Sequence, residues 1–123
     1  MSAYRDRFAG RTAVVTGGAS GLGKAAAARI VAEGGKVVLW DLNAEALTAA
    51  AAEVGAAHVI ALDVADPEAV AAAALASAQA LGGRIDILVA SAGITGATVP
   101  VQDFPIDSWK RVVDTNLNGV FYC

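Results

Sequence analysis

The chain has 123 residues, enough for a single domain, and 56% of them are hydrophobic while only 17% are charged. The formal net charge of −3 and the lack of a basic cluster argue against a nucleic-acid partner. No stretch predicts a membrane span, and no apolar run follows the charged N-terminus as it would in a signal peptide. A single cysteine, Cys123, excludes an internal disulfide and favours a cytoplasmic location.

Apolar runs alternate with helix-like runs along the chain. After a surface lead-in over residues 1–10, the predicted strands span 12–16, 36–40, 58–62 and 85–89. The predicted helices span 21–33, 44–54 and 67–81, and a last helix runs from 107 towards 121. Strands that alternate with helices of this length form βαβ units, which require a parallel sheet with right-handed crossovers. The predicted fold is α/β, with the strand order 3-2-1-4.

Polar residues stand where three of these helices are predicted to begin. Asn43 and Asp66 have side chains that can accept hydrogen bonds from first-turn N–H groups, and Pro67 is a residue favoured at the first helical position. Asp107 is predicted to cap the last helix in the same way. The lone histidine, His58, forms no cluster with cysteines or carboxylates in the sequence, so no metal site is predicted.

The first strand and the first helix are joined by the stretch Thr16-Gly17-Gly18-Ala19-Ser20-Gly21-Leu22-Gly23. A helix N-terminus leaves backbone N–H groups unpaired and carries a partial positive charge, so this arrangement predicts an anion site. Gly17 can adopt a backbone angle that other residues rarely adopt, Gly21 lets the backbone approach a pyrophosphate, and Gly23 lets the helix pack close to the strand. The alternative is a glycine-rich turn that holds no ligand.

The spacing Thr-Gly-x-x-x-Gly-x-Gly resembles the cofactor motif of the short-chain dehydrogenase/reductase family, and the resemblance extends from Phe8 to the last residue. It implies a Rossmann-type doubly wound parallel sheet with the same strand order and three further strands. Residues 1–123 are therefore expected to be the N-terminal part of an NAD(P)-binding Rossmann domain, with the catalytic and substrate-binding part outside them. Within the family, the chain resembles 3-oxoacyl-carrier-protein reductases and sugar or polyol dehydrogenases.

Asp41 ends the second predicted strand. A carboxylate there can accept hydrogen bonds from both hydroxyls of an adenosine ribose. The added phosphate of NADP would instead meet a repulsion of about 4 kcal/mol at roughly 4 Å and an effective dielectric near 20. Family members that prefer NADP usually carry a basic residue at the positions of Ser20 or Leu42, and Lys24 is expected to face water. The predicted cofactor is therefore NAD rather than NADP, and a solvated strand-end aspartate is the alternative.

Three further matches carry roles that the resemblance implies. Asp63-Val64 matches a pair in which the Asp meets the adenine amino group and the Val flanks the ring. Ala90-Ser91-Ala92-Gly93 stands where the family has Asn-Asn-Ala-Gly, beside the ribose on the nicotinamide side. Asn116 matches the Asn that joins the catalytic Ser, Tyr and Lys and holds a water of the proton relay. On spacing alone, Asp63 would be a turn residue and Asn116 a helix-surface residue.

These matches define the predicted site, in which Asn116 is the one catalytic residue. The predicted cofactor-binding residues are Gly17, Ser20, Gly21, Leu22, Gly23, Asp41, Leu42, Asp63, Val64, Ala90, Ala92 and Gly93. The family's catalytic Ser and its Tyr-x-x-x-Lys pair cannot be placed, since neither Tyr4 nor Tyr122 begins such a pair.

The predicted function is that of the cofactor-binding half of an NAD-dependent oxidoreductase. In such an enzyme, hydride passes between nicotinamide and the carbon of a secondary alcohol or ketone. The whole enzyme is expected to be a homodimer or homotetramer that acts on a small alcohol or carbonyl compound. Two alternatives are a non-catalytic nucleotide-binding module or truncated regulatory fragment, and an inert α/β fragment. The glycines, Asp41 and Asp63 argue against the inert fragment.

We predict that residues 1–123 expressed alone are inactive, marginally folded and prone to aggregate, whereas a longer chain is a soluble dimer or tetramer. The open, apolar edge of the fourth strand invites pairing with other chains, and the last helix carries Trp109, Val112, Val113 and Phe121. Size-exclusion chromatography and thermal melting of the fragment test this. A monomer with a cooperative melt and tight NAD binding would contradict it and favour the nucleotide-binding module.

Overall fold

The computed structural model of the chain describes residues 4–123, so the first three residues of the predicted lead-in lie outside the described part. Its strands are β1 (Thr12–Thr16), β2 (Lys36–Asp41), β3 (His58–Ala61) and β4 (Ile87–Ala90). They form one parallel sheet in the order β3-β2-β1-β4, which confirms the predicted topology.

The helices follow the predicted alternation with the strands. They are α1 (Gly21–Ala32), α2 (Ala44–Val54), α3 (Pro67–Ala80), α4 (Ile106–Val113) and α5 (Gly119–Tyr122). A 3-10 turn, Val101–Asp103, precedes α4, and a π-helical segment, Asp114–Asn118, joins α4 to α5. The predicted last helix is therefore interrupted at its centre.

The predicted N-caps of α2 and α3 are present. Asn43 Oδ1 accepts a hydrogen bond from the Ala46 N–H at 3.0 Å, and Asp66 Oδ1 accepts two from the first turn of α3 at 3.1 and 3.2 Å. Gly55 ends α2 with φ at 77°, in the left-handed region that glycine adopts without strain.

Other predicted boundaries were wrong. Asp107 does not cap the last helix, because the Pro105 carbonyl already accepts the Trp109 N–H and α4 begins at Ile106. A proline suits a helix start because it has no N–H to leave unpaired. β4 begins at residue 87 rather than 85, because the Asp86 carboxylate accepts the Thr12 N–H at 2.9 Å before the β1–β4 ladder starts. β3, α1 and α3 each end one residue earlier than predicted.

Two apolar layers cover the sheet. Alternate residues of β1 point to opposite faces, so Ala13 and Val15 pack with α1 and α2 while Val14 packs with α3. The chain changes face at β1, whose two neighbours are β2 and β4. In doubly wound sheets this switch point leaves a crevice at the carboxyl ends of the strands, and ligands bind there.

Residues 4–123 contain neither a membrane-spanning helix nor a cluster of metal-binding side chains. No helix in that range is long and apolar enough to cross a bilayer. The same residues contain no group of three or more histidine, cysteine, aspartate or glutamate side chains placed to hold a metal ion.

A buried carboxylate anchors the segment that leads into β1. Glu33, the C-cap of α1, is 0% exposed, and its oxygens accept the Tyr4 N–H at 2.8 Å and Arg29 Nε at 2.7 Å and pair with Arg7. Burial raises the pKa of the Glu33 carboxyl, but the bonds from Tyr4, Arg7 and Arg29 outweigh it and hold the pKa below its usual value. The ionised form is therefore favoured by folding.

Replacing Glu33 with Gln should lower the melting temperature at neutral pH, because two arginines would lose their charged partner. Since folding depresses this pKa, the stabilisation is present above the unfolded carboxyl value of about 4.3 and is lost as pH falls through the folded value. The difference in melting temperature between the Glu33→Gln variant and the parent should therefore decrease at acidic pH. Glu53→Gln is the control, because the Glu53 side chain is 60% exposed in its pair with Lys24. Equal effects of both substitutions would contradict the prediction.

Candidate functional site

The glycine turn presents backbone donors at the end of β1. Gly17 turns the chain with φ at 62°, and Ser20 is the extended N-cap of α1. The Ser20 side chain makes no capping bond, and the first turn of α1 contains no acidic residue. The first-turn N–H groups are therefore available to an anion, which the partial positive charge at a helix start also favours.

Two of the glycines allow close packing, and the third leaves open space. A Cβ atom at Gly23 would lie 2.4 Å from the carbonyl oxygen of Gly17, and one at Gly17 would lie 3.0 Å from the backbone of Ser91 and Ala92. A Cβ atom at Gly21, where φ is 57°, would meet nothing within 4 Å. Side chains at the first two positions would therefore displace the protein itself, whereas Gly21 borders empty space at the helix start.

The turn after β4 is held by Thr16. The Thr16 hydroxyl oxygen accepts the N–H groups of Ser91 and Ala92, each at 3.0 Å. This turn has Ala90 and Ser91 where the family has two asparagines, so a side chain from β1 braces it from the other strand. The ends of β1 and β4 are thereby joined where the crevice opens.

Asp41 lies at the end of β2, beside the glycine turn. Its carboxylate accepts the Ala19 N–H at 3.1 Å and the Leu42 N–H at 2.7 Å, one on each oxygen. Each carboxylate oxygen can accept more than one hydrogen bond, so both retain capacity for the hydroxyl groups of a ligand.

Within the described residues 4–123, the side chains that line the crevice near Asp41 carry no positive charge. Ser20 and Leu42, which stand where a basic residue would favour NADP, both line the crevice. Lys24 lies at the partly exposed surface of α1, where its ammonium pairs with Glu53 of α2. A phosphate group at this end would therefore meet the Asp41 carboxylate without a compensating cation.

Asp63 and Val64 follow β3 and have different surroundings. Asp63 Oδ1 accepts the Ala65 N–H at 2.9 Å, and Oδ2 accepts Arg111 Nη1 of α4 at 2.7 Å. Burial raises the pKa of the Asp63 carboxyl, but the bonds from Ala65 and Arg111 outweigh it and hold the pKa below its usual value. Val64 is buried and lines the crevice, while Asp63 lies outside its lining.

Asn116 lies in the π-helical segment and forms hydrogen bonds to the loop that follows β4. Its Oδ1 accepts the Ile94 N–H at 2.9 Å, and its Nδ2 donates to the Ile94 carbonyl oxygen at 2.8 Å. Both ends of the amide are therefore used by one backbone unit. In the same segment, the Gly119 N–H donates to the Asp114 carbonyl, the i→i+5 bond of a π-helix.

These elements enclose a crevice of about 330 Å³ at the carboxyl ends of the strands. The predicted residues that line it are Gly17, Ser20, Gly21, Leu22, Asp41, Leu42, Val64, Ala92 and Gly93. The predicted residues outside the lining are Gly23, Asp63, Ala90 and Asn116. Gly23 and Asn116 still shape the crevice, through Gly17 and Ile94 respectively.

Sequence reasoning missed several residues of this crevice. Trp40, Leu62, Ser91, Ile94 and Thr115 also line it, and Thr16 braces one wall. Leu62 and Trp40 directly precede Asp63 and Asp41, so their positions at strand ends could have indicated that they line the crevice. Thr115 gave no such signal, because a threonine inside a predicted helix is ordinary.

The sheet order and the position of the crevice define a Rossmann-type domain. A family model described as short chain dehydrogenase matches residues 11–123. The chain therefore belongs to the short chain dehydrogenase family.

Curated relatives and solved structures agree with this assignment. The chain is 68% identical over its whole length to a 2-dehydro-3-deoxy-L-rhamnonate dehydrogenase (NAD(+)) of a Sphingomonas species, covering 49% of that protein. It is 42% identical to a D-threitol dehydrogenase of Mycolicibacterium smegmatis, over 94% of this chain and 45% of the relative. It superimposes on an NAD+-bound xylitol dehydrogenase with a TM-score of 0.89 at 38% identity, over 94% of this chain and 46% of that one. The chain thus spans about half the length of the curated relatives it matches.

Replacing Gly17 with Val should abolish nucleotide binding while the sheet stays largely formed. The new side chain would sit at a positive φ and press on the Ser91–Ala92 turn that closes one wall of the crevice. Nucleotide titration alongside circular dichroism measures both effects. Gly82→Val is the matched control, because Gly82 also has a positive φ, of 88°, but borders open space away from the crevice. Unchanged affinity in the Gly17 variant would mean that the nucleotide binds elsewhere.

Proposed function

We propose that the protein to which this chain belongs is an NAD-dependent oxidoreductase. It would transfer hydride between nicotinamide and the carbon bearing a secondary hydroxyl or keto group. Residues 1–123 form the N-terminal part of its NAD(P)-binding Rossmann domain, and the catalytic Ser and Tyr-x-x-x-Lys belong to the remainder of the protein. The single observation that carries this proposal is the crevice in which Asp41 lies next to a helix start with available N–H groups.

The two ends of a dinucleotide fit different parts of this crevice. The N–H groups at Ser20, Gly21 and Leu22 hold the pyrophosphate, since they lie at an uncapped helix start with space beside them. Asp41 accepts the hydroxyls of the adenosine ribose. Val64 packs on the adenine. Asp63, the preceding residue, lies outside the lining of the crevice and would meet the adenine amino group. In this arrangement the N–H groups bind the charged phosphates, the carboxylate binds hydroxyls, and the buried valine contacts the apolar ring.

The charges at the adenosine end select NAD over NADP. Asp41 has no cation beside it, because Ser20 and Leu42 are neutral and Lys24 is paired with Glu53. The 2-dehydro-3-deoxy-L-rhamnonate dehydrogenase relative is named as an NAD(+) enzyme, and the xylitol dehydrogenase structure contains NAD+. Both names support NAD as the cofactor, in agreement with the charges around Asp41.

The other end of the crevice would receive the nicotinamide riboside. Bound NAD supplies the acceptor for hydride, and this chain's residues position it. Thr16 holds the turn that follows Ala90, in which the small side chain of Ala92 and the lack of one at Gly93 allow the ribose close to the backbone. Asn116 Oδ1 and Nδ2 each make one hydrogen bond to Ile94. Asn116 would hold the relay water through its main chain, on the π-helical segment where carbonyls point differently from those of an α-helix.

The substrate class follows from the relatives. The names of the Sphingomonas and Mycolicibacterium relatives specify a deoxy sugar acid and a tetritol. We therefore favour a polyhydroxylated substrate, a sugar acid or polyol, over a 3-oxoacyl thioester. The first compound to test is 2-dehydro-3-deoxy-L-rhamnonate with NAD+.

We further propose a cytoplasmic homodimer or homotetramer. The segment from α4 to α5 exposes Trp109 by 58%, Leu117 by 66% and Phe121 by 86%. Large apolar side chains gathered on one segment are typical of a surface that is covered by another element, either in the remainder of the protein or in another subunit.

Replacing Asp41 with Ser in the intact protein should reduce its preference for NAD(H) over NADP(H), because the repulsion towards a 2′-phosphate would disappear. The ratio of kcat/KM for the two cofactors measures this. Asp41→Asn separates charge from hydrogen bonding, since the amide keeps one acceptor but carries no charge, and it should shift the ratio in the same direction. Equal or better efficiency of the unmodified protein with NADP(H) would overturn the proposed cofactor.

A further inference from the structure

Thr115 has a buried hydroxyl without a hydrogen-bond partner. The residue is 4% exposed, and its Oγ1 is the one buried side-chain oxygen or nitrogen within residues 4–123 that no donor or acceptor reaches. Burying a hydroxyl without a partner carries a free-energy cost, and native proteins rarely leave such a group unsatisfied. Thr115 is also a lining residue of the crevice, so a ligand bound there is the group that could satisfy this hydroxyl.

The π-helical segment explains why the helix does not satisfy this hydroxyl itself. A threonine inside an α-helix commonly donates to the carbonyl three or four residues earlier. Thr48 in α2 does so, with its hydroxyl 3.1 Å from the Ala44 carbonyl oxygen. Thr115 lies where the backbone follows the π-helical pattern, and its hydroxyl makes no such bond.

The neighbours of Thr115 place it on the adenosine side of the crevice. On the next turn, Gly119 packs so closely on Val64 that a Cβ atom there would lie 2.8 Å from the valine Cγ2. The side chain of Asn116, the next residue along, bonds to the backbone of Ile94. Leu62 and Val64, which also line the crevice, are apolar, whereas Thr115 brings a hydroxyl to it.

We propose that the Thr115 hydroxyl forms a hydrogen bond to the adenosine half of the bound dinucleotide. The proposal rests on the proposed function, since it takes the crevice to hold NAD. A hydroxyl both donates and accepts, so it matches a ribose hydroxyl or a ring nitrogen of the base. Thr115 is on this view a positioning residue that acts together with Asp41 at one end of the cofactor.

The test is a set of titrations on the intact protein with NAD+, AMP and nicotinamide mononucleotide. Thr115→Val keeps the shape and removes the hydroxyl, and it should weaken NAD+ and AMP binding by the same factor, about 3- to 10-fold for one hydrogen bond. Nicotinamide mononucleotide should bind unchanged. Thr115→Ser should retain the parent affinity, and Thr48→Val is the control for the same substitution away from the crevice.

Thermal melts add a readout that does not depend on activity. Without nucleotide, Thr115→Val should melt at or above the parent temperature, because an unsatisfied hydroxyl has been removed. With saturating AMP it should gain less stability than the parent. Thr115→Ala is a second hydroxyl-free variant in case valine disturbs the packing, and it should show the same loss of AMP affinity relative to Thr115→Ser.

The outcomes separate this proposal from the proposed function. A parent protein that binds NAD+ while both hydroxyl-free variants keep its AMP affinity would overturn the role of Thr115 alone. Weaker binding of nicotinamide mononucleotide with unchanged AMP would also overturn it, because the contact would lie at the other half. A parent protein that binds neither NAD+ nor AMP would overturn the proposed function itself.

Discussion

The contact of Gly23 with the carbonyl of Gly17 determines how the rest of the site is arranged. Since a Cβ atom at Gly23 would lie 2.4 Å from that oxygen, α1 can approach the end of β1 only without a side chain there. The same turn packs on the backbone after β4 and is flanked by Thr16, which holds that backbone. One close approach thus sets the distance between the helix start and both strands, and with it the width of the crevice.

The fold could be predicted because its local signals agree with one another. Buried strands, the caps Asn43 and Asp66 and the glycine stops all mark the same boundaries, and the right-handed crossover rule leaves few sheet orders. The glycine turn and Asp41 could be placed at one edge for a related reason, since both directly follow a strand. Wherever a feature depended on neighbours in the sequence, the prediction came within a residue or two.

The features that could not be predicted depend on residues far apart in the chain. β4 starts late because Asp86 binds Thr12, 74 residues away, and Asp63 pairs with Arg111, 48 residues away. The π-helical segment leaves no mark in the periodicity of residues 107–121, although it frees the Thr115 hydroxyl from the helix. Such contacts arise from packing, which a pattern of residue types along the chain does not record.

The bonds between Asn116 and Ile94 give an asparagine at this position a structural role that can be looked for in other sequences. A backbone unit offers one donor and one acceptor, and a side-chain amide of this length satisfies both at 2.9 and 2.8 Å. An aspartate would place a carboxylate oxygen against the Ile94 carbonyl oxygen, and both are acceptors. A glutamine side chain is one methylene too long to make the same two bonds. The asparagine is thus a marker of the shape of the loop, so relatives that have lost their chemistry but kept the loop should still retain it.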